Sequence, residues 1–258
     1  MRVRGYAAAT PCWSLLTSPA PSTAAAFYAG LFGWTTSAAE DGTTLFHLRD
    51  LVVAGVAPTP SERAAWMTYI AVDDPEATAQ EVVAAGGRVL LPPTDIATRG
   101  RAALFADPAG AVFGVWQKIR FAGAQIHDEP GSVCWSEVVT RDVPASAAFY
   151  GKVFGWLDQE GTSPDTIHEY HEWISNNRVV GGLSIMDENY PPGTPHHWRT
   201  IFSIDDCAGF MTRATDLGGR VLAGPVDAGI GQACSVLDPT GGMILAIEVI
   251  PELRALMG

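Results

Sequence analysis

Lysine is almost missing from this chain: Lys118 and Lys152 are the only two in 258 residues. With 16 basic against 28 acidic side chains the formal net charge is −12. Such a surface repels phosphate backbones, so no nucleic-acid partner is expected. Cysteine is equally sparse. Cys12, Cys134, Cys207 and Cys234 form no Cys-x-x-Cys pair, which suits neither a disulfide framework nor a zinc knuckle. No apolar run approaches the roughly 18–20 residues of a membrane span. The opening Met1-Arg-Val-Arg-Gly5 leads into no apolar stretch of signal-peptide length, so a cytoplasmic protein without a membrane partner is expected. Gly-x-Ser-x-Gly, Gly-x-Gly-x-x-Gly and phosphate-loop motifs are absent too. Acyl transfer, dinucleotide binding and nucleoside triphosphate chemistry therefore have no support.

Apolar residues, by contrast, are plentiful at 47%, with charged residues at 17%. That excludes disorder and provides material for one large or two small domains. The charge is unevenly shared. Residues 1–125 hold 9 basic and 10 acidic side chains, while residues 126–258 hold 7 and 18, a net of −11. The acidic half either favours a cationic ligand or simply keeps the surface soluble.

The chain repeats itself. Phe27-Tyr-Ala-Gly-Leu-Phe-Gly-Trp34 recurs as Phe149-Tyr-Gly-Lys-Val-Phe-Gly-Trp156, an offset of 122. Gly86-Gly-Arg-Val-Leu90 recurs as Gly218-Gly-Arg-Val-Leu222 at 132, and Asp107-Pro-Ala-Gly110 as Asp238-Pro-Thr-Gly241 at 131. Three matches in one order mark a tandem duplication. The jump in offset places an insertion in the second copy, near 159–165 or Tyr190–Pro195. Each copy divides again. A short strand leads into a helix closed by Gly33 or Gly155; strand-like runs follow; then Asp73-Asp74 or Asp205-Asp206 caps a second helix. Two further strands flank the Asp-Pro-x-Gly turn. The unit is βαβββ, present four times. The organisation expected is a first domain over 8–120, a linker over 121–132, a second domain over 133–250 and a tail over 251–258.

Ala-Phe-Tyr-x-x-x-Phe-Gly-Trp, Asp-Asp before a helix, Gly-Gly-Arg-Val and Asp-Pro-x-Gly before a terminal strand, in that order and twice over, resemble the vicinal oxygen chelate superfamily. It groups glyoxalases, bleomycin-resistance proteins and extradiol dioxygenases. The resemblance implies an α+β fold: four βαβββ modules forming two glyoxalase-like domains whose curled mixed sheets enclose ligand cups. It also implies where a divalent metal would be held. Carried over from the motifs, those positions are Trp13 and Trp135 on the first strands, Met67 and Arg199 on the middle strands, and Gly114 and Leu245 on the last. None is His, Asp or Glu, and none offers a carboxylate or imidazole donor. No metal and no other cofactor is therefore expected. His168 with His171, and His196 with His197, are the alternative metal sets, although residues three apart on a strand face opposite ways.

Strand alternation then selects what lines each cup. In many relatives one cavity combines the first strand of one half with the later strands of the other. On that exchanged pairing, Trp135 and Glu137 join Met67, Tyr69, Gly114 and Trp116, while Trp13 and Leu15 join Arg199, Ile201, Leu245 and Ile247. The first set offers flat rings for stacking, with space left at Gly114. Glu137 is its sole carboxylate and would suit an amine-bearing ligand. Two functions are compatible with these residues. One is a metal-free protein that binds a small planar aromatic molecule, natural-product or antibiotic-like. The other is a metal-independent enzyme of natural-product assembly with Glu137 as general base and Arg199 as an anion stabiliser. A metal-dependent dioxygenase or glyoxalase lacks its ligands. Because the duplication already joins two copies in one chain, a monomer is expected to be complete.

Overall fold

The computed structural model describes residues 1–161, 170–188 and 190–250. Of the expected features, His168, most of the segment 159–165 and the tail 251–258 lie outside them. The first half runs β1 (Pro11–Ser18), α1 (Pro21–Phe32), β2 (Thr35–Ala38), β3 (Thr44–Leu48), β4 (Leu51–Pro58), β5 (Ala65–Ala71), α2 (Pro75–Ala84), β6 (Arg88–Ile96), β7 (Gly100–Ala106) and β8 (Val112–Lys118). The second repeats it: β9 (Val133–Thr140), α3 (Val143–Phe154), β10 (Leu157–Glu160), β11 (Tyr170–Ser175), β12 (Arg178–Ile185), β13 (His197–Ser203), α4 (Cys207–Asp216), β14 (Arg220–Asp227), β15 (Gly231–Leu237) and β16 (Met243–Val249). These are the four βαβββ modules, two per half. Each half forms one eight-stranded mixed sheet, in the orders β2-β3-β4-β1-β5-β8-β7-β6 and β10-β11-β12-β9-β13-β16-β15-β14.

Local chemistry sets the helix ends. Asp74 and Asp206 accept from the backbone N–H of Ala77 and Gly209, each at 2.9 Å, closing the first turns of α2 and α4. Gly33 and Gly155 end α1 and α3 in the left-handed region, at φ 70° and 68°, where a side chain would be strained.

Behind the sheets, the halves interlock. One apolar cluster joins Tyr28, Trp34 and Phe46 of the first module to Phe202, Phe210, Val236 and Ile244 of the fourth. The other joins Ile70, Phe105 and Phe113 of the second to Tyr150, Trp156 and Trp173 of the third. Thr68 and Thr200, equivalent residues on the two middle strands, meet hydroxyl to hydroxyl at 3.1 Å between the sheets. The repeated motifs have a physical role here. Tyr28 of α1 donates to Asp238 in the opposite half's Asp-Pro-x-Gly turn at 2.9 Å and accepts from Trp66 at 3.0 Å. Tyr150 does the same between Asp107 (3.1 Å) and Trp198 (2.7 Å). Burial, and then the neighbouring carboxylate, pushes both phenols well above their usual range. Trp66 and Trp198 therefore belong to this clasp, and Trp34 and Trp156 to the core.

The sheets correct the exchanged pairing. β1 pairs with β5, setting Trp13 against Tyr69 and Leu15 against Met67. β9 pairs with β13, setting Glu137 against Arg199 and Trp135 against Ile201. Each concave face therefore belongs to one half. What crosses between halves is the core behind the sheets, where α1 packs against α4 and α2 against α3.

Candidate functional site

The first half's cup gathers Trp13, Met67, Tyr69, Gly114 and Trp116, but its rings face one another. Trp13, Tyr69 and Trp116 are 4%, 7% and 4% exposed. Phe121, which follows the sheet, packs edge-on against Trp13 at 4.9 Å and accepts through its carbonyl from Trp116 Nε1 at 2.8 Å. The Arg99 guanidinium lies 4.4 Å from the Phe121 ring centroid and within 6 Å of both indoles. Its Nη1 is paired with Asp41 at 2.9 Å. Three consecutive N–H groups, from Ile119, Arg120 and Phe121, converge on the Arg99 carbonyl and hold this plug in place. Gly114 leaves no opening either: a Cβ there would strike the Tyr69 ring. The space that a glutamate would have entered is taken by Tyr69, whose hydroxyl burial pushes up to about 12. The stacking platform expected from Trp116, Tyr69 and Met67 is thus a packed interior.

The second half's concave face is built differently. Trp135 and Glu137 project from β9, Arg199 and Ile201 from β13, and Leu245 and Ile247 from β16. Glu137 is 3% exposed. Its Oε1 accepts from Arg199 Nε, and its Oε2 from the Tyr170 hydroxyl at 2.9 Å. Trp135 Nε1 donates to that same hydroxyl at 2.5 Å. Arg199 donates further from Nη1 to the Tyr190 hydroxyl at 3.1 Å and from Nη2 to Ser184 Oγ at 3.2 Å. Burial opposes the Arg199 charge most strongly, but Glu137 and Tyr190 outweigh it and the guanidinium is held above its ordinary value. Burial, followed by the Glu137 charge, likewise raises the Tyr170 phenol. The result is a fixed polar network beside the indole of Trp135, with Trp135, Arg199, Ile201 and Leu245 all partly exposed.

Of the expected site residues, then, the structure brings together Trp135, Glu137 and Arg199. It puts Trp13, Met67, Tyr69, Gly114 and Trp116 in the other sheet. With Arg199 on one oxygen and Tyr170 on the other, Glu137 no longer has the unanswered charge that would select a cation. Tyr170, Tyr190, Ser184 and Gly182 are the residues that sequence reasoning missed. Gly182 lies opposite Glu137 in the β9–β12 register, and a Cβ there would collide with the Tyr170 hydroxyl. That glycine, the second of the Gly181-Gly182 pair inside β12, was the available signal for a close approach.

The donors do not fit a divalent cation. The positions at which the fold would ligate one hold Trp13, Met67 and Gly114, and Trp135, Arg199 and Leu245. The carboxylates beside them, Asp41 and Glu137, are each already paired with a guanidinium. His171 pairs with Asp158 at 2.8 Å, His196 with Thr140 at 2.9 Å, and His197 Nδ1 with the Pro195 carbonyl at 2.9 Å. Among the described residues no three His, Cys, Asp or Glu side chains converge. No helix among them is long and apolar enough to cross a membrane.

Comparison with known proteins agrees with this architecture. A glyoxalase-like domain model matches residues 14–116, and the glyoxalase/bleomycin resistance protein/dioxygenase superfamily model matches residues 137–245. The anthracycline biosynthesis protein DnrV of Streptomyces peucetius is 36% identical, over 95% of this chain and 94% of its own. DauV of Streptomyces sp. strain C5, of the same description, is 34% identical over 95% and 94%. The putative glyoxylase CFP32 of Mycobacterium bovis is 33% identical over 96% and 97%. Among solved structures, the Mn(II)-bound glyoxalase of Novosphingobium aromaticivorans superposes with a TM-score of 0.63 at 17% identity, covering 94% of this chain and 83% of that one. The 2,2',3-trihydroxybiphenyl 1,2-dioxygenase of Sphingomonas wittichii RW1 does so at 0.61 and 17%, covering 96% and 94%. These two establish the fold alone.

Proposed function

The chain belongs to the glyoxalase/bleomycin resistance protein/dioxygenase superfamily, and from that premise we propose that it is a metal-free protein of natural-product biosynthesis that binds a planar aromatic molecule in the cup of its second half. The observation that carries this reading is the contrast between the two concave faces. The first is sealed by Arg99 and Phe121. The second presents a partly exposed indole, Trp135, beside an ordered set of hydrogen-bonding groups on Tyr170, Arg199 and Tyr190. An aromatic face with few, fixed polar groups is the chemistry of a small-molecule site. Relatives named for anthracycline biosynthesis point to a polycyclic, oxygenated aromatic as the ligand class.

The enzyme alternative with Glu137 as general base finds less support, since both carboxylate oxygens already accept from Arg199 and Tyr170. Glu137 acts instead as the anchor of Arg199. A fluorescence titration tests the proposal. With a chelator present, a polycyclic aromatic should quench tryptophan emission saturably, at one equivalent per chain. Trp135→Ala should weaken that binding about tenfold, as the loss of a stacking partner and its burial implies. Trp116→Phe should leave it within twofold. Conversion of the bound compound, or a dependence on added metal, would overturn it.

A further inference from the structure

Arg199 stands at one of the positions where the superfamily resemblance would place a metal ligand, and its surroundings hold it as a fixed cation. A guanidinium has five N–H donors in a planar fork. Three are used here: Nε on Glu137, one on Nη1 toward Tyr190, and one on Nη2 toward Ser184. One N–H on each terminal nitrogen has no acceptor among the described residues. Three anchors from two strands and a loop leave the side chain little freedom, because Glu137 is on β9, Ser184 on β12 and Tyr190 in the approach to β13. Yet the Arg199 side chain is 23% exposed, whereas the Glu137 side chain behind it is 4%. The charge of the pair is therefore presented to the cup from its positive end. Tyr190 accepts from Arg199, so its own hydroxyl hydrogen remains to be given to an acceptor.

We propose that Arg199, oriented by Glu137, Ser184 and Tyr190, reads the oxygen acceptors of the ligand, and that the ligand is a planar aromatic bearing a carbonyl and a neighbouring hydroxyl, as in a hydroxyquinone. The assignment rests on the binding reading above and adds its polarity. A metal in this fold would hold two substrate oxygens; here the two remaining N–H groups of one guanidinium, one on each terminal nitrogen, offer two donors to the same kind of pair. A cationic aromatic is disfavoured because its positive charge would meet the guanidinium before it met the carboxylate. The net −11 of the second half acts at longer range, is screened by salt, and does not reverse this contact.

The experiment titrates the full-length chain, with EDTA present, with three probes: 1,8-dihydroxyanthraquinone, anthracene and 9-aminoacridine. Because Arg199→Met alone leaves Glu137 buried and unpaired, the paired variant Glu137→Gln/Arg199→Met is used beside Arg199→Lys, and thermal unfolding verifies that each is folded. The quinone should bind native protein at least tenfold more tightly than either other probe. It should lose about tenfold in Arg199→Lys and more in the paired variant, while anthracene affinity stays within twofold. The bound quinone should also ionise at lower pH than the free dye, seen as an earlier visible colour change, and the paired variant should abolish that difference. Equal quinone affinity in native and paired-variant protein, or tighter binding of 9-aminoacridine than of the quinone, would overturn the assignment. Failure of anthracene and quinone alike would instead remove the underlying binding reading.

Discussion

Glu137 and Arg199 show at the scale of single residues how a buried charge is kept. Removing one partner of such a pair strands the other in a dry environment, which costs about 3–5 kcal/mol where burial is complete. Arg199 retains some solvent contact, so Glu137→Ala should destabilise the protein by about 3 kcal/mol, measured by urea unfolding. A change below about 1 kcal/mol would show the pair to be solvated. His127 provides a second test at this scale. Burial first, and then the nearby N-terminal ammonium, lower its pKa to about 4. The folded state thus binds fewer protons than the unfolded state between about 4 and the ordinary 6.5. This contribution to stability is complete above pH 6.5 and is lost as pH falls toward 4. The His127 ring resonances should titrate with a midpoint near 4, and His127→Gln should flatten the pH dependence of stability across that window. A midpoint near 6.5 would contradict this environment.

Among the elements, the strands and helices differ in how readily the sequence discloses them. The helices are legible because Asp74, Asp206, Gly33 and Gly155 mark their ends. β2 and β10 are not, since all their residues are exposed and no alternation betrays them. The Asp-Pro-x-Gly turn could be read as a turn, but its partnership with a tyrosine 43 residues away in the other half could not. Local patterns do not encode which helix covers which strand. The clasp makes its own prediction. Tyr150→Phe leaves Asp107 and the Trp198 indole N–H each short of a partner, in a region where both residues are buried. Buried groups without partners cost about 1–3 kcal/mol, so the variant should unfold at correspondingly lower denaturant concentration, as should Tyr28→Phe in the equivalent clasp. No change in either variant would mean that water replaces the hydroxyl.

The whole molecule is a duplication whose halves share both convex cores and keep their concave faces to themselves. The repeats revealed the four modules, and the aromatic and charged residues of the cups could be picked out by alternation. Which first strand belonged to which cup could not, because both pairings give the same pattern of inward residues. Two shared cores should make unfolding cooperative across the chain, so calorimetry should record one transition; two separated transitions would contradict the interlock. The central claim is that the second cup, with Trp135 and Arg199, is the ligand site while the first is closed by its own side chains. The most direct measurement is a crystal structure of the protein with 1,8-dihydroxyanthraquinone. The ring system should lie against Trp135 with its oxygens at Arg199, and Arg99 and Phe121 should still fill the first cup. A quinone lodged between Trp13 and Trp116 with Phe121 displaced would contradict the account.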